Sequence, residues 1–503
     1  MRLTKAAVAG AAGLLGLLAA TVAHAAEPGS VVDNAIAAFS GAVFAQVRLF
    51  GADVEVIVLW MAAPMLFLTV YFGFINLRGF RIAWRIIRGH YHDDTAPGQV
   101  TQFQALSTAL SGTVGLGNIA GVAIAIALGG PGATFWMIII GLFAMSLKFA
   151  ECTLGVKYRI EHADGSVSGG PMYYLRRGLT ARGLPRLGAF LAISYAIIGL
   201  PSMLQIVQVN QAYSQFGAVT GLDSVAASWI FGIVLAALVG VVIIGGIRSI
   251  ARVTARLVPL MCAVYITAAL VIIIGNIGEV PRAVATIING AFNPEGVVGG
   301  IIGVIVIGMR RAVYSTEAGL GSATMAHAAA KTREPVSEGM VALMEPFIDT
   351  VVVSTMTALV IVITGAYRLE GLGDIQITSA AFASVISWFP YILALAVLLF
   401  AFSTIISWGY YASKVWTFLF GRSPLSVNGF KVLYCVMLVP GAVLTTAQVV
   451  DVMDSLFFLL AIPNIIGIYI MAPELKRDLK SYLARLRAGD IPTAARLAAS
   501  AAE

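Results

Sequence analysis

The sequence predicts an all-α polytopic membrane protein of about eleven transmembrane helices, with one extra N-terminal helix followed by two five-helix units of opposite topology. Three observations predict it. The 503-residue chain is 59% hydrophobic and only 11% charged, whereas about a quarter of a soluble protein's residues are charged. Lys and Arg crowd into alternate loops, as membrane orientation requires. Two apolar runs are interrupted by the same Gly-Leu-Gly motif, and the topology sets those runs in opposite directions.

The first 26 residues stand apart. A basic start ending at Lys5, a short apolar run and the small-residue sequence Ala23-His24-Ala25 before Ala26 read as a cleavable signal peptide over 1–26. The alternative is an uncleaved first helix. Cleavage leaves the N-terminus in a periplasm and places the chain in a bacterial inner (cytoplasmic) membrane.

A span needs about 20 mainly apolar residues. Such runs occur near 54–77, 102–130, 132–157, 188–217, 225–246, 253–275, 297–327, 339–365, 379–418, 428–448 and 452–472. The segment 50–77 is the extra helix, 100–275 the first five-helix repeat, 297–472 the second, and 476–503 a cytoplasmic tail. The basic residues support this order. Arg78, Arg81, Arg85 and Arg88 follow the first run, Lys157 to Arg186 the third, Arg248 to Arg256 the fifth, Lys331 and Arg333 the seventh, and Lys414 and Arg422 the ninth. Lys476, Arg477 and Lys480 begin the tail, while the opposite loop after the sixth run holds only Arg282. The N-terminus is therefore expected outside and the C-terminus inside. Arginines every three or four residues through 78–88, with Phe, Trp and Ile between, fit either an amphipathic helix on the inner leaflet or a plain topogenic flank.

The net charge of +7 is explained by these loops and does not indicate nucleic acid. Cys152, Cys262 and Cys435 all lie in apolar runs without a CxxC pair, which suits free thiols rather than a disulfide or zinc. His24, His90, His92, His162 and His327 show no HExxH spacing, and neither a GxSxG elbow nor a P-loop is present. Catalysis and ATP-driven transport are not expected, and no soluble signalling domain is available for a receptor.

The breaks carry the chemistry. The first reads Thr113-Val114-Gly115-Leu116-Gly117-Asn118 and the second Glu317-Ala318-Gly319-Leu320-Gly321-Ser322. Unsatisfied backbone groups in hydrocarbon cost several kcal/mol each, so a break persists only where they face protein, water or ligand. Freed N–H groups at a half-helix N-terminus suit a carboxylate, and freed carbonyls suit a cation such as sodium. Together they suit an amino acid with a coupling ion. Two other readings compete: close helix packing through small residues, and a potassium-channel filter, from which Thr113–Gly117 differs by one residue. The filter reading is weak because the stretch continues directly into apolar helix and Leu116 stands where the filter has tyrosine.

Charged residues inside spans are costly. Lys148 and Glu151, three apart, are expected to neutralise each other; Glu345 and Asp349 are four apart on the eighth run. Glu317 is read as bracing the second break, with proton coupling through Glu317 or Glu345 as the alternative.

The stretches 103–137, 148–159, 169–175, 310–336, 345–361 and 400–414 resemble the alanine/glycine:cation symporters, also called sodium:alanine symporters, and the resemblance covers nearly all of 50–475. It implies a leucine-transporter-like five-plus-five inverted repeat of the amino acid/polyamine/cation superfamily, and cation-coupled uptake of alanine or glycine. On that resemblance Thr113, Gly115, Gly117 and Asn118 hold substrate carboxylate and cation, and Gln208 contacts the substrate head group. Thr404 contacts the amine or cation, Trp408 closes over the side chain and Ser403 is a cation ligand beside Thr113 and Thr404. Thr404 and Trp408 share a helix face by their spacing. Trp408 has the alternative of an interfacial belt position, although Tyr410 and Tyr411 are better placed there. Gly319 and Gly321 shape the second break. Gln205 and Asn210 are equally explained as inter-helix hydrogen-bonding groups. The sequence departs from the family pattern at Ala312, Thr316 and Gln205, which puts substrate choice in question.

The expected function is a sodium-coupled symporter importing alanine or glycine. A proton-coupled carrier of another small amino acid is the alternative. Its partners are a small neutral amino acid, Na+ and the lipid bilayer, with no nucleic acid, no transition metal and no obligate protein partner.

Overall fold

The computed structural model describes residues 31–49, 51–294, 297, 299–369, 374–385, 388–443 and 447–502. The signal peptide expected over 1–26 lies outside the described residues. Among the described residues the fold is helical apart from two short antiparallel hairpins and an isolated parallel bridge between Val100 and Ala330.

Helix α1 (Val31–Val43) leads into the hairpin β1 (Gln46–Leu49) and β2 (Ala52–Glu55), in which Gln46 faces Glu55. Helix α2 (Val56–Tyr71) follows. The arginine-rich stretch forms the amphipathic helix α3 (Phe80–Ile87). Ala83 and Ile86 face the protein, the Phe80 ring lies 4.8 Å from that of Phe347, and Trp84 faces out beneath the Arg88 guanidinium. Its apolar face is thus spent on the bundle as well as on any lipid.

The first interrupted span is α4 (Gln102–Thr113) and α5 (Leu116–Gly129), bent by 43° at the junction. The start of α4 is well defined. Thr101 Oγ1 accepts from Gln104 N and Gln104 Oε1 accepts from Thr101 N, a reciprocal cap of two otherwise orphaned amides. Helix α6 (Gly132–Lys157), about 39 Å long, is the central post. Past the hairpin β3 (Ile160–Glu161) and β4 (Val167–Ser168) come α7 (Pro171–Thr180), α8 (Pro185–Ser202) and α9 (Ile206–Thr220). Pro171 and Pro185 occupy the first helical position, where a missing N–H costs nothing. Helices α10 (Val225–Ile244), α11 (Gly246–Gly275) and α12 (Val280–Phe292) complete the first half of the chain.

The second half opens with α13 (Gly300–Thr316), a turn, and the four-residue α14 (Thr324–His327). Helix α15 (Pro335–Ala342) continues through a π-helical stretch, Phe347–Ser354, into α16 (Thr355–Thr364). The short α17 (Asp374–Ala383), the long α18 (Phe389–Phe420), α19 (Pro424–Leu438), α20 (Ala447–Leu459), α21 (Ala461–Ala488) and α22 (Ala494–Ala502) follow. Helix α6 packs against α2, α12, α13 and α15, so its two ends meet both interrupted spans or their neighbours.

Among the described residues eight helices are long and apolar enough to cross a membrane, or nine with the bent pair as one. The runs expected near 54–77 and 297–327 hold shorter helices, of 16 residues in α2 and 17 in α13. Helix α13 is short because the second break falls inside its run. The three cysteines are free, as expected. The C-terminal stretch does not part from the last span at 476: α21 runs unbroken to Ala488. It is tied back by Lys157 to Asp478, by Arg485 to Glu334 at 2.6 Å, and by Ala494 N donating to His90 O at 2.9 Å.

Candidate functional site

Helix α4 ends at Thr113, so the carbonyls of its last turn lose their intrahelical donors. Helix α18 supplies replacements. Thr404 Oγ1 donates to Ser111 O at 3.0 Å and the Trp408 indole N–H donates to Gly112 O at 3.3 Å. Ser111 Oγ returns a bond to Ser403 O at 2.6 Å and lies 2.9 Å from Ser407 Oγ. The helical spacing of Thr404 and Trp408 therefore has a second use: both side chains cap the first half-helix. Trp408 is buried, which excludes a belt position, and Tyr410 and Tyr411 are buried too, with Tyr411 Oη donating to Thr108 O.

Beyond Thr113 the chain is extended at Val114 and Gly115, then turns into α5. The stretch read as a possible filter is thus a junction between two helices. Gly115 N donates to Asn118 Oδ1 at 3.0 Å, closing the first turn of α5. The amide of Asn118 sits in a cage of oxygens: Asp349 Oδ1 at 2.6 Å, Asp349 O at 2.9 Å, and the hydroxyls of Ser315 and Ser354, each at 3.2 Å. Ser315 and Thr350 donate to Asp349 Oδ2 at 2.6 and 2.8 Å. This cluster is fully enclosed. Hard oxygen donors around a carboxylate are the ligand type that sodium takes, as calcium does. No group of three or more His, Cys, Asp or Glu arranged for a metal occurs among the described residues.

A cavity of about 280 Å³ lies against the junction. Thr113, Gly115 and Gly117 form its wall on the broken span, Gln208 and Gln211 of α9 with Gln205 just before it a second wall, and Thr404 and Trp408 its wall on α18. It extends along Gly121 and Ile124 of α5, away from the contacts that hold α4 to α18. Glu317 borders it from α13, and Arg311, Tyr314 and Asp454 line its far part, where Tyr314 Oη donates to Asp454 at 3.0 Å. Of the predicted residues, Thr113, Gly115, Gly117, Gln208, Thr404, Trp408 and Glu317 share this wall, whereas Asn118, Ser403, Gly319 and Gly321 do not. Asn118 belongs to the oxygen cluster behind the wall. The Ser403 hydroxyl is turned back onto Phe400 O at 2.9 Å. Among the departures only Gln205 reaches the cavity; Ala312 and Thr316 are buried elsewhere.

The second break is built differently. Glu317, Gly319 and Gly321 take φ of 52°, 101° and 76°, a left-handed run that ends α13. Gly319 N and Gly321 N both donate to Glu151 Oε1, at 2.9 and 3.1 Å. Asn464 Nδ2 reaches Gly319 O at 2.7 Å and the same Glu151 oxygen at 2.7 Å, and Tyr195 Oη donates to Leu320 O at 2.8 Å. The Glu317 carboxylate accepts from Ser322 Oγ at 2.9 Å. The break is satisfied by protein.

Lys148 and Glu151 lie on the same helix without bonding each other directly. Lys148 bonds Glu345 at 2.8 Å instead, leaving Glu151 to the second break. Spacing of three along α6 allows the pair, but Glu151 meets two backbone amides that have no other acceptor. The π-helical stretch also begins between Glu345 and Asp349, and the two serve different partners: Lys148 and, for Asp349, the Asn118 cluster. Sequence reasoning missed Ser315, Thr350, Ser354 and Asp454 as site residues. The only signal for them was the presence of polar groups inside apolar runs.

Over residues 38–496 the chain matches the sodium:alanine symporter family. The chain belongs to that family. It is 37% identical over 424 residues to the "Sodium/alanine symporter AgcS" of Methanococcus maripaludis, covering 83% of this chain and 92% of the relative. It is 32% identical over 430 residues to the "Probable sodium/glutamine symporter GlnT" of Bacillus subtilis, covering 85% and 87%. Among solved structures, MhsT in complex with L-phenylalanine superposes with a TM-score of 0.54 over 75% of this chain and 89% of that one, at 14% identity, a likeness of fold. As a member of the sodium:alanine symporter family, the protein is a multi-pass membrane transporter, a cation-coupled amino-acid symporter of leucine-transporter-like architecture.

Proposed function

We propose that the protein is a sodium-coupled importer of a small neutral amino acid, alanine or glycine, working by alternating access in a bacterial inner membrane. The observation that carries this is the cavity at the first break, where a half-helix N-terminus, amide side chains and an indole wall converge. The positive end of α5 and its leading N–H groups suit the substrate carboxylate. Gln208 and Thr404 offer oxygens to the ammonium, and Trp408 limits the side chain.

For the cation there are two oxygen sets. One is the pair of hydroxyls of Thr113 and Thr404, which share the cavity wall where α4 meets α18, Ser403 being turned away onto Phe400 O; the other is the Asn118–Ser315–Asp349–Thr350–Ser354 cluster. An ion in the cluster reaches substrate through Asn118, which fixes Gly115 at the cavity wall. Binding of one then pre-organises the other, and such coupling is reciprocal.

With the arginine-rich loops cytoplasmic, the cavity faces the periplasm and the α4–α18 contacts through Ser111, Thr404, Trp408 and Tyr411 form the closed inner side. Release requires these contacts to part. The segments 100–275 and 297–472 are the two opposed repeats that rock against each other, with 50–77 outside them. Relatives named for alanine and for glutamine show that family membership alone does not choose the side chain.

The test is uptake of labelled alanine and glycine into liposomes under an inward sodium gradient, an inward proton gradient, or neither. Sodium-driven accumulation is expected. Accumulation under the proton gradient alone overturns the sodium reading and moves attention to Glu317, a carboxylate at the cavity wall. In that case Glu317→Gln removes the pH dependence.

A further inference from the structure

At the arginine-rich end of the bundle, apart from the substrate cavity, a second cavity of about 190 Å³ opens between α11, α18, α19 and the β3–β4 hairpin. Lys414, Arg422 and Lys431 line it. Asp164, 3.3 Å from Arg422, is the one carboxylate paired with these three among the described residues. Lys414 Nζ donates to Val167 O at 2.7 Å and Lys431 Nζ to Ile244 O at 2.8 Å. Each ammonium has three protons, so both keep donors beyond these neutral carbonyls. Arg422 also donates to Ser166 Oγ at 2.6 Å, and His162 at the hairpin is engaged with Ser168. Lys414, which also lies 5.1 Å from the centre of the Tyr410 ring, and Lys431 therefore converge here with no ion pair of their own among the described residues, Asp164 being bonded to Arg422.

Next to this cavity runs a groove of about 360 Å³ on the outer surface between α10 and α19, walled by Ile233, Ala237, Gly240, Val432 and Val436. Ile243 and Lys431 line both spaces. An apolar channel thus leads along the membrane-facing side into a basic chamber.

We propose that the two spaces together bind one anionic phospholipid, with its phosphate against Arg422, Lys431 and Lys414 and one acyl chain in the groove. Charge complementarity selects the headgroup, because the chamber presents an excess of positive charge to the leaflet where basic loops gather. The groove selects a lipid over a soluble phosphate, since its wall offers apolar surface that only a hydrocarbon chain covers. Bound there, the lipid joins α10, α11 and α19 to α18, the helix that carries Thr404 and Trp408. The inference needs the chain to sit in a membrane and does not depend on which substrate or ion is carried.

The experiment uses the full-length protein in detergent, stripped of lipid and titrated with phosphatidylglycerol, phosphatidylcholine or inorganic phosphate. Native mass spectrometry reads bound lipid and a thermal melt reads stabilisation. One phosphatidylglycerol is expected to stay bound and to raise the melting temperature, with phosphatidylcholine and inorganic phosphate doing neither. The double variant Arg422→Gln/Lys431→Gln is expected to weaken phosphatidylglycerol roughly tenfold or more. Ala237→Trp fills the exposed groove, leaves all three cations in place, and is expected to lose the lipid as well. Should the double variant not fold, Ala237→Trp decides. Equal binding of phosphatidylcholine, a full shift by inorganic phosphate alone, or undiminished phosphatidylglycerol binding in either folded variant overturns the proposal.

Discussion

The two Gly-Leu-Gly breaks look alike in sequence and are opposites in the folded protein. At the first, Gly115 and Gly117 stand at a cavity, and a Cβ on Gly117 meets no other atom within 4 Å. At the second, a Cβ on Gly321 comes within 2.5 Å of Pro171 Cγ, and the amides of Gly319 and Gly321 are bonded to a buried carboxylate. The backbone torsions differ in the same sense. Gly115 is extended, a conformation open to any residue, whereas Gly319 and Gly321 need the left-handed region. The difference teaches that a broken helix marks a ligand site only where its freed groups are not already claimed by protein. Glycine itself does not tell the two cases apart.

The comparison breaks most readily at Glu151. Glu151→Ala strands two backbone amides, each worth about 1–3 kcal/mol when buried, and leaves Asn464 only its bonds to Gly319 O and Tyr174, so a loss of folded protein in a thermal melt is expected. If the melt is unchanged, the second break is not sealed as described. Next is Gly321→Ala, expected to cost about 3 kcal/mol from left-handed strain and overpacking. Its partner experiment, Gly117→Ala, is expected to move stability by no more than about 0.5 kcal/mol. That substitution instead lowers alanine uptake, because the added methyl enters the cavity. Equal melts for the two alanine variants erase the contrast.

A smaller effect sharpens the first break. Asp349→Asn keeps the shape of the cluster and removes its charge, so the sodium concentration for half-maximal uptake is expected to rise roughly tenfold or more. An unchanged sodium dependence assigns the ion to the Thr113 and Thr404 side of the junction. Trp408→Leu is expected to admit larger side chains in competition uptake while losing one hydrogen bond to Gly112 O, about 1 kcal/mol of stability. Loss of alanine binding with no broader selectivity removes Trp408 from the pocket wall.

Much of the wall of the candidate cavity was legible in the chain. Thr113, Gly115 and Gly117 were marked by small and polar residues inside an apolar run, and Thr404 and Trp408 by a spacing of four on one helix. The Asn118 cluster was not, because Ser315, Asp349, Thr350 and Ser354 come from two distant segments, one of them π-helical. The direct partners of Lys148 and Glu151 were not legible for a related reason: periodicity ranks neighbours on one helix and is blind to a carboxylate or an amide brought in from another. The departure at Gln205 faces the cavity while those at Ala312 and Thr316 do not, a distinction of helix rotation that no motif carries.

By itself the sequence determined that the chain is a helical membrane protein with two interrupted spans, since apolar length, basic-loop alternation and glycine position are local properties set by the cost of exposing polar backbone to hydrocarbon. Tertiary structure alone decided which interruption is open and which is closed. A freed N–H or C=O is satisfied by whatever lies across from it, and at the second break that is Glu151, Tyr195 and Asn464, drawn from three other helices.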